Sequence, residues 1–193
     1  MVDIYLQTDR FLLRRFTEAD AAFLIELDGD PEVMRYLTGG VPTPPDRIRD
    51  VVLPGFLQAH RDHPHQGHFA AEALDGSFLG WFHLHPPHHP YVTSPPATLE
   101  VGYRLRRAVW RQGFGTEGAR ALVEHAFVRL GASRVIAYTM AVNGASRRVM
   151  EKAGLSLSRA IHPARDPAVP GSEHGEVEYG LNRAEWAARR PQS

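Results

Sequence analysis

Two glycines, Gly113 and Gly115, stand one residue apart in VWRQGFGTEGARALVEHAF (109–127), just before an amphipathic run that predicts a helix. The start of a helix exposes unpaired backbone N–H groups and the positive end of its dipole, and together these bind an anion. Glycines let a phosphate approach the backbone closely, and they adopt φ values that other residues avoid. Thr116 adds a hydroxyl donor. The spacing therefore predicts either a phosphate-binding turn or simply a tight strand-to-helix turn. The stretch is not a P-loop, since no G-K-[ST] is present, and it lacks a G-x-G-x-x-G followed, about 20 residues on, by the ribose-binding acid of a dinucleotide site.

Hydrophobic periodicity predicts the elements that hold this turn. RFLLRRF (10–16) is typical of a first strand, and Thr17 and Asp30 favour the N-caps of two helices. The dipeptide Pro54-Gly55 predicts a break in a third helix. The remaining segments follow in chain order: hairpin strands HFAAEAL and SFLGWFHLH, strand ATLEVGYRL (97–105), the helix after the glycines, strand SRVIAYTM, helix NGASRRVMEKAG, strand EVEYGL (176–181) and helix RAEWAARR. This order predicts a single α/β domain (1–193) of α+β type, with one mixed, mostly antiparallel central sheet flanked by helices.

Composition excludes several classes of function. The 22 basic and 22 acidic side chains leave no net charge, so we expect neither nucleic acid nor a membrane surface as a partner. The absence of cysteine excludes a disulfide scaffold and a cysteine nucleophile and favours a cytoplasmic protein. Prolines interrupt the histidine-rich run HLHPPHHP (83–90), which predicts a solvated loop, and we expect no metal there.

Residues around the glycines closely resemble a known family. The stretch W-R-Q-G-F-G-T-E-G is similar to motif A of the GNAT acetyltransferases, [QR]-x-x-G-x-[GA], with Trp110 in place of the usual Gln or Arg. Three further stretches match in the same order: LQTDRFLLRRFTEADAAFLIEL near the N-terminus, LEVGYRL before the glycines, and AVNGASRRVMEKAGL after them. With EVEYGLNRAEW near the end, the resemblance covers nearly the whole chain and is closest to the branch of the ribosomal-protein-alanine N-acetyltransferases.

This resemblance implies acetyl-CoA as the co-substrate. Its pyrophosphate is expected on the backbone N–H groups of Arg111, Gln112, Gly113, Phe114, Gly115 and Thr116. Its pantetheine arm is expected to pair, as a strand does, with the backbone of Tyr103, Arg104 and Leu105, where the strand ending there splays from the one starting near Arg134. Asn143 is implied to contact the same arm, and its alternative role is to cap the helix that follows.

Transfer of an acetyl group to an amine needs a base, a polarised carbonyl and a proton for the leaving thiolate. The resemblance makes Glu100 the candidate base, directly or through water, and its alternative is an ordinary strand carboxylate. Ser146 is the candidate donor of a proton to the thiolate, and Tyr138 reads as core or pocket wall. Relatives that acetylate protein N-termini place a glutamate in the segment that here reads SRAIHPARD (158–166), which has none; His162 or Asp166 is not an aligned substitute.

The sequence thus predicts an acetyl-CoA-dependent N-acetyltransferase that acts directly on a primary amine, either a protein N-terminus or a small molecule. Two alternatives are a non-catalytic acyl-CoA sensor and a transferase of another acyl group such as succinyl. Asp28 and Asp30 are either a site for a cationic acceptor or caps and surface groups. The loops 38–46, 85–97 and 160–175 are expected to select the acceptor, and the resemblance allows a homodimer.

Overall fold

A computed structural model describes residues 3–90, 93–162 and 166–189 of the chain. Its strands are β1 Ile4–Gln7, β2 Phe11–Arg15, β3 Gly67–Ala73, β4 Phe78–His85, β5 Thr98–Leu105, β6 Arg134–Met140, β7 Ser156–Ile161 and β8 Glu176–Asn182. Its helices are α1 Ala21–Gly29, α2 Pro31–Thr38, α3 Pro45–Arg47, α4 Leu53–Asp62, α5 Phe114–Val128, α6 Gly144–Lys152 and α7 Arg183–Ala188. Over these residues, none of the helices has the length and apolar character needed to span a bilayer.

The strands form one mixed sheet in the order β1-β2-β3-β4-β5-β6-β8-β7. Strands β5 and β6 run parallel, whereas β1–β2, β2–β3, β6–β8 and β7–β8 are antiparallel pairs. The predicted fold class, a mostly antiparallel central sheet with flanking helices, is confirmed.

The local signals before the sheet's centre are also confirmed. Thr17 and Asp20 form a reciprocal capping box ahead of α1, and the Asp30 carboxylate accepts a 2.9 Å hydrogen bond from the Glu32 N–H at the start of α2. The predicted break in the third helix takes the form of a π-helical segment, Ile48–Val52, between α3 and α4. Pro54 then lies in the first turn of α4, directly after this segment.

Strands β1 and β7 were not predicted from the sequence. β1 is short and its first residue, Ile4, is 49% exposed, so its apolar content gives little periodic signal. β7 is exposed at every position except Ile161, as expected of an edge strand that buries almost no side chain. The loop prediction for the histidine-rich run is wrong at its first three residues: His83, Leu84 and His85 complete β4, as the predicted strand SFLGWFHLH has them, and the prolines begin only after it.

The chain divides into two compact units. One comprises Met1–His83, Tyr103–Gly115 and Pro167–Pro170, and its hydrophobic core contains Phe16, Leu24, Leu27, Ile48, Leu53, Ala70, Phe78 and Trp81. The other comprises Leu84–Gly102, Thr116–Asp166 and Gly171–Ser193, and its buried residues include Leu122, Phe127, Val135, Ile136 and Tyr179. That the whole of 1–193 acts as one domain stays a prediction.

Candidate active site

The turn before α5 has a strained backbone. After a 3₁₀ turn at Arg107–Val109, Arg111 adopts φ = 61° and Gly113 adopts φ = 87°, both in the left-handed region. A non-glycine residue in this region costs about 1–3 kcal/mol and persists where the surrounding structure imposes it. The expectation that Gly115 also has an unusual φ is wrong, because Gly115 lies inside the first turn of α5 and is helical.

Side chains hold the carbonyl groups of this turn in place. Arg10 donates from Nη1 to the Gln112 carbonyl at 2.9 Å, and its guanidinium lies 4.3 Å from the centre of the Phe114 ring. Gln112 donates from Nε2 to the Ala108 carbonyl at 2.8 Å. Left-handed residues next to a helix start turn successive N–H groups toward one side, which makes an anion-binding concavity. The turn thus has two left-handed residues, Arg111 and Gly113, directly before the start of α5.

Trp110, which replaces the usual Gln or Arg of the motif, ties this turn to β5. Its indole Nε1–H donates to the Leu105 carbonyl at 2.8 Å. The Leu105 carbonyl at the end of β5 therefore already has a donor from the protein.

The last residues of β5 direct their side chains to separate partners. The Tyr103 ring centre lies 5.8 Å from that of Phe82. The Arg104 guanidinium lies 5.0 Å from the centre of the Trp81 ring and donates from Nη1 to Asp28 Oδ1 at 2.5 Å. The carbonyl of Arg104 approaches Gly80 so closely that a Cβ there would lie 2.2 Å from it, so this crossing requires glycine.

Strand β5 pairs with β6 only at its beginning. The parallel register joins Thr98, Leu99 and Glu100 to Arg134, Val135 and Ile136. Among the described residues, Val101 and Gly102 on β5 have no recorded pairing with β6. The register therefore ends at Glu100, before the residues Tyr103 to Leu105 at which the resemblance implies a splay.

Glu100 stands in a histidine-rich environment. Burial raises the pKa of its carboxyl group, while His85, His89 and a hydrogen bond from the His88 backbone N–H act in the opposite direction. A carboxyl group with a raised pKa is suited to act as a base near neutral pH. The His/Pro run therefore surrounds the predicted base, although sequence reasoning treated the run and the base separately.

Asn143 caps α6. Its Oδ1 accepts a 3.1 Å hydrogen bond from the backbone N–H of Ser146, so the structural role weighed for Asn143 is present. This bond uses the Ser146 backbone, and the Ser146 hydroxyl group lies on the half-buried first turn of the helix. Thr116 likewise lies in the first turn of α5.

A buried polar network at Glu178 was missed by the sequence reading. Glu178 is 3% exposed; its Oε2 accepts from the Tyr138 hydroxyl at 3.0 Å and from Arg159 Nε at 2.9 Å, and its Oε1 accepts from Arg134 at 3.2 Å. Burial, together with the Glu178 charge and hydrogen bond, raises the pKa of Tyr138 to about 12. Tyr138 is thus half-buried and hydrogen-bonded. The signal in the sequence was the polar residue inside EVEYGL, which alternation assigns to a solvent face although β8 lies between two other strands.

Asp28 and Asp30, considered above as a site for a cationic acceptor, both have hydrogen-bond partners within the protein. Asp28 is 4% exposed and pairs with Arg104, and its Oδ2 accepts from Thr43 Oγ1 at 3.2 Å. Its charge is neutralised inside the fold, which excludes a surface role, and Asp30 is the cap described above. In the segment at 158–166, Pro163, Ala164 and Arg165 lie outside the described residues, and the Asp166 carbonyl accepts from the Ser172 hydroxyl at 2.6 Å.

Comparison with known proteins agrees with these features. A family model described as an acetyltransferase (GNAT) domain matches residues 10–156. An FsC-acetyl coenzyme A-N(2)-transacetylase of Aspergillus fumigatus is 35% identical over 185 residues, which cover 94% of this chain and 77% of that protein.

Two solved structures share the fold. One is RimL, a ribosomal L7/L12 alpha-N-protein acetyltransferase in complex with coenzyme A, with 17% identity, a TM-score of 0.76 and coverage of 93% of this chain and 98% of that one. The other is the aminoglycoside acetyltransferase AAC(6')-Ib in complex with coenzyme A, with 21% identity, a TM-score of 0.73 and coverage of 94% and 99%. The match of the family model to most of the chain, joined to the transacetylase relative, means that this protein belongs to the GNAT family and is an acetyl-CoA-dependent acyltransferase.

Proposed function

We propose that this protein transfers the acetyl group of acetyl-CoA directly to a primary amine, with no covalent enzyme intermediate, and that residues 1–193 act as one domain. The observation that carries the proposal is the backbone of the turn at Arg111 and Gly113, strained in the way that an anion site requires and followed at once by the start of α5.

In this proposal the pyrophosphate of acetyl-CoA lies on the N–H groups from Arg111 to Thr116. The first four N–H groups of a helix have no intrahelical acceptor, so a phosphate there satisfies donors that would otherwise need water. The pantetheine arm pairs with the backbone of β5 from Tyr103 to Leu105, where β5 continues beyond its paired residues with β6. Because Leu105 O already accepts from Trp110, the arm is expected to bond to Tyr103 and Arg104 rather than to this carbonyl.

The reaction forms a C–N bond and breaks the C–S bond of the thioester. Glu100, directly or through water, accepts the proton that the amine loses as its nitrogen attacks the acetyl carbon. The sulfur leaves as a thiolate and takes a proton from the Ser146 hydroxyl, which regains one through water from the protonated Glu100, or takes it from a water that this hydroxyl positions. The raised pKa of Glu100 supports its role, because burial makes its carboxylate a stronger base than an exposed one.

The acceptor is an amine of a small molecule or of a protein N-terminus. The relatives are named for acceptors of both kinds: an N(2) position, an aminoglycoside and an alpha-N-protein terminus. Loops 38–46 and 160–175, which the proposal assigns to acceptor selection, contact each other, because Gly39 (φ = 68°) packs against the Ala168 carbonyl so closely that a Cβ there would lie 1.9 Å from it. A cytoplasmic location and a homodimer remain part of the proposal.

Calorimetric titration with acetyl-CoA, CoA and succinyl-CoA tests the donor, and thiol release in the presence of amines and N-terminal peptides tests the acceptor. Binding with thiol release for one class of amine supports the proposal and names the acceptor class. Preference for succinyl-CoA would replace the acetyl donor, and tight binding with no release by any amine would favour an acyl-CoA sensor. Failure to bind any CoA thioester would contradict the proposal.

A further inference from the structure

Two histidines from neighbouring segments of one unit form a close pair. His68 lies on β3 and His83 on β4, their ring centres are 5.1 Å apart, and the rings meet edge to face at 75°. A ring nitrogen of one lies within 4.8 Å of a ring nitrogen of the other. Both residues are half-buried, and the two ring nitrogens of His83 are themselves shielded from water.

Aromatic neighbours fix the orientation of both rings. Phe56 of α4 stacks on His68 with ring centres 3.9 Å apart and planes within 11°. Trp81 meets His68 edge to face at 5.1 Å and stacks on His83 at 5.8 Å. Rings packed in this way have already lost part of their rotamer freedom before a metal binds, and only a small adjustment of each ring is left to make.

The first part of the histidine-rich run 83–90 belongs to β4 and is not interrupted by prolines. Alternate residues of a strand share a face, so Trp81, His83 and His85 lie on one face of β4, and Pro86 begins only after them. A further imidazole therefore follows His83 on the same face of the same strand. The sequence expectation of no metal rested in part on a loop that His83 and His85 do not form, and in part on the absence of a carboxylate or thiolate within the run.

The nearest described ion pair to the histidines is internally balanced. The guanidinium of Arg104 lies over Trp81, and its charge is balanced by the buried Asp28 at 2.5 Å. A metal ion at the histidine pair therefore does not face an uncompensated cation. Two imidazole nitrogens on one zinc or cobalt ion are about 3.4 Å apart, given metal–nitrogen distances of about 2.0–2.1 Å. Closing from the observed upper limit of 4.8 Å thus needs a movement of about 1.4 Å, within reach of small ring rotations.

We propose that His68 and His83 bind a divalent transition-metal ion such as Zn²⁺ or Co²⁺, a site beyond the acetyl transfer itself. Imidazole nitrogen is a preferred ligand for these ions, and water can complete the coordination.

The test is a titration of the full chain, freed of any histidine tag, with Co²⁺ followed by its visible ligand-field absorption, and with Zn²⁺ by calorimetry. His68→Phe and His83→Phe each keep an aromatic ring for packing and remove the ligand. We expect one Co²⁺ per chain in the natural protein, and in each variant a loss of affinity of at least about tenfold, the smallest loss seen even for outer-shell partners.

The matched control removes two other histidines, His63→Ala with His65→Ala, both exposed and ahead of β3. We expect this control to keep its Co²⁺ affinity, which separates a built site from binding by any pair of histidines. Acetyl-CoA affinity, measured on every variant, reports whether the fold is intact and whether the proposed donor site exists, independently of metal. The proposal is overturned if the natural protein shows no saturable Co²⁺ binding, or if the control loses as much affinity as the phenylalanine variants.

Discussion

Replacement of Gly113 by alanine tests the phosphate-binding turn most directly. Gly113 has φ = 87°, and left-handed backbone costs an alanine about 1–2 kcal/mol. Space is a minor factor, because the nearest atom to a new Cβ is Arg10 Nη2 at 3.3 Å, the mobile end of a side chain. We expect the free Gly113→Ala protein to relax this strain by rotating the turn, which moves the N–H groups away from the phosphate position.

Acetyl-CoA must then restore the left-handed backbone when it binds. The strain of about 1–2 kcal/mol is thereby subtracted from binding, which raises the Kd about 5- to 30-fold at 1.4 kcal/mol per decade. The assay is calorimetric titration with acetyl-CoA and, in parallel, with S-acetylpantetheine, which lacks the pyrophosphate. We expect the affinity loss for acetyl-CoA and none for the truncated thioester.

The chain offers a matched control in Gly76, which has φ = 86° in the turn between β3 and β4, with no atom within 4 Å of an added Cβ. Gly76→Ala introduces the same backbone strain away from the proposed phosphate position. It is expected to lower the melting temperature by about 2–4 °C for each kcal/mol while leaving the Kd of acetyl-CoA unchanged. Equal effects of the two substitutions on acetyl-CoA affinity, or an equal loss of S-acetylpantetheine binding by Gly113→Ala, would refute the reasoning.

Three further predictions follow from buried carboxyl groups. Glu100→Gln should lower kcat/KM by about 10²- to 10⁴-fold with an unchanged acetyl-CoA Kd. Only the carboxylate form is active and burial raises its pKa, so the natural enzyme should lose rate as the pH falls through that raised pKa. If the pH–rate profile of the variant still shows this loss at acidic pH, Glu100 is not the base. Glu178→Ala removes the carboxylate partner of Arg134 and Arg159, whose side chains are 21% and 43% exposed. Because water reaches both arginines, we expect the free energy of unfolding in urea to fall by about 2 kcal/mol rather than by the 3–5 kcal/mol of a fully buried pair. A loss below about 0.5 kcal/mol would show that the network does not stabilise the fold. Asp20→Ala breaks a buried bidentate pair with Arg14, which keeps its salt bridge to Glu72 at 2.7 Å, and should therefore cost about 1.5–3 kcal/mol at pH 7. Burial works to raise the pKa of Asp20, but the hydrogen bonds from Arg14 and Thr17 lower it on balance. The stability that the ionised Asp20 contributes is therefore present above its pKa in the unfolded chain and is lost as the pH falls through its pKa in the folded protein. The difference in unfolding free energy between the variant and the natural protein, measured in urea, should shrink in acid, and a constant difference would contradict the assignment.

Sequence signals predicted well where one short segment contains the whole cause. The caps at Thr17 and Asp30, the turn at Gly76 and the left-handed Gly131 (φ = 70°) depend only on neighbouring residues, and all are found as expected. Prediction was poor where the cause lies on another strand. β7 has almost no buried side chain to mark it, and its place at the sheet edge follows from its pairing with β8.

The same distinction applies to the candidate site. The glycine turn could be located from spacing, yet its second left-handed residue is Arg111 and not Gly115, because the helix begins at Phe114 and includes Gly115. Glu100 could be placed on its strand from alternation, but the histidines beside it belong to a different segment of the chain.

The sequence by itself determined the family, the order of most elements, the glycine turn and the residue types available for acetyl transfer, because each depends on residue type and on spacing over a few positions. Only the tertiary structure decided which charges are buried and with whom: Asp28 with Arg104, and Glu178 among two arginines and Tyr138. It also brought His68 and His83 together. The physical reason is that burial, charge pairing and ligand geometry arise from contacts between residues far apart in the chain, which local periodicity does not encode.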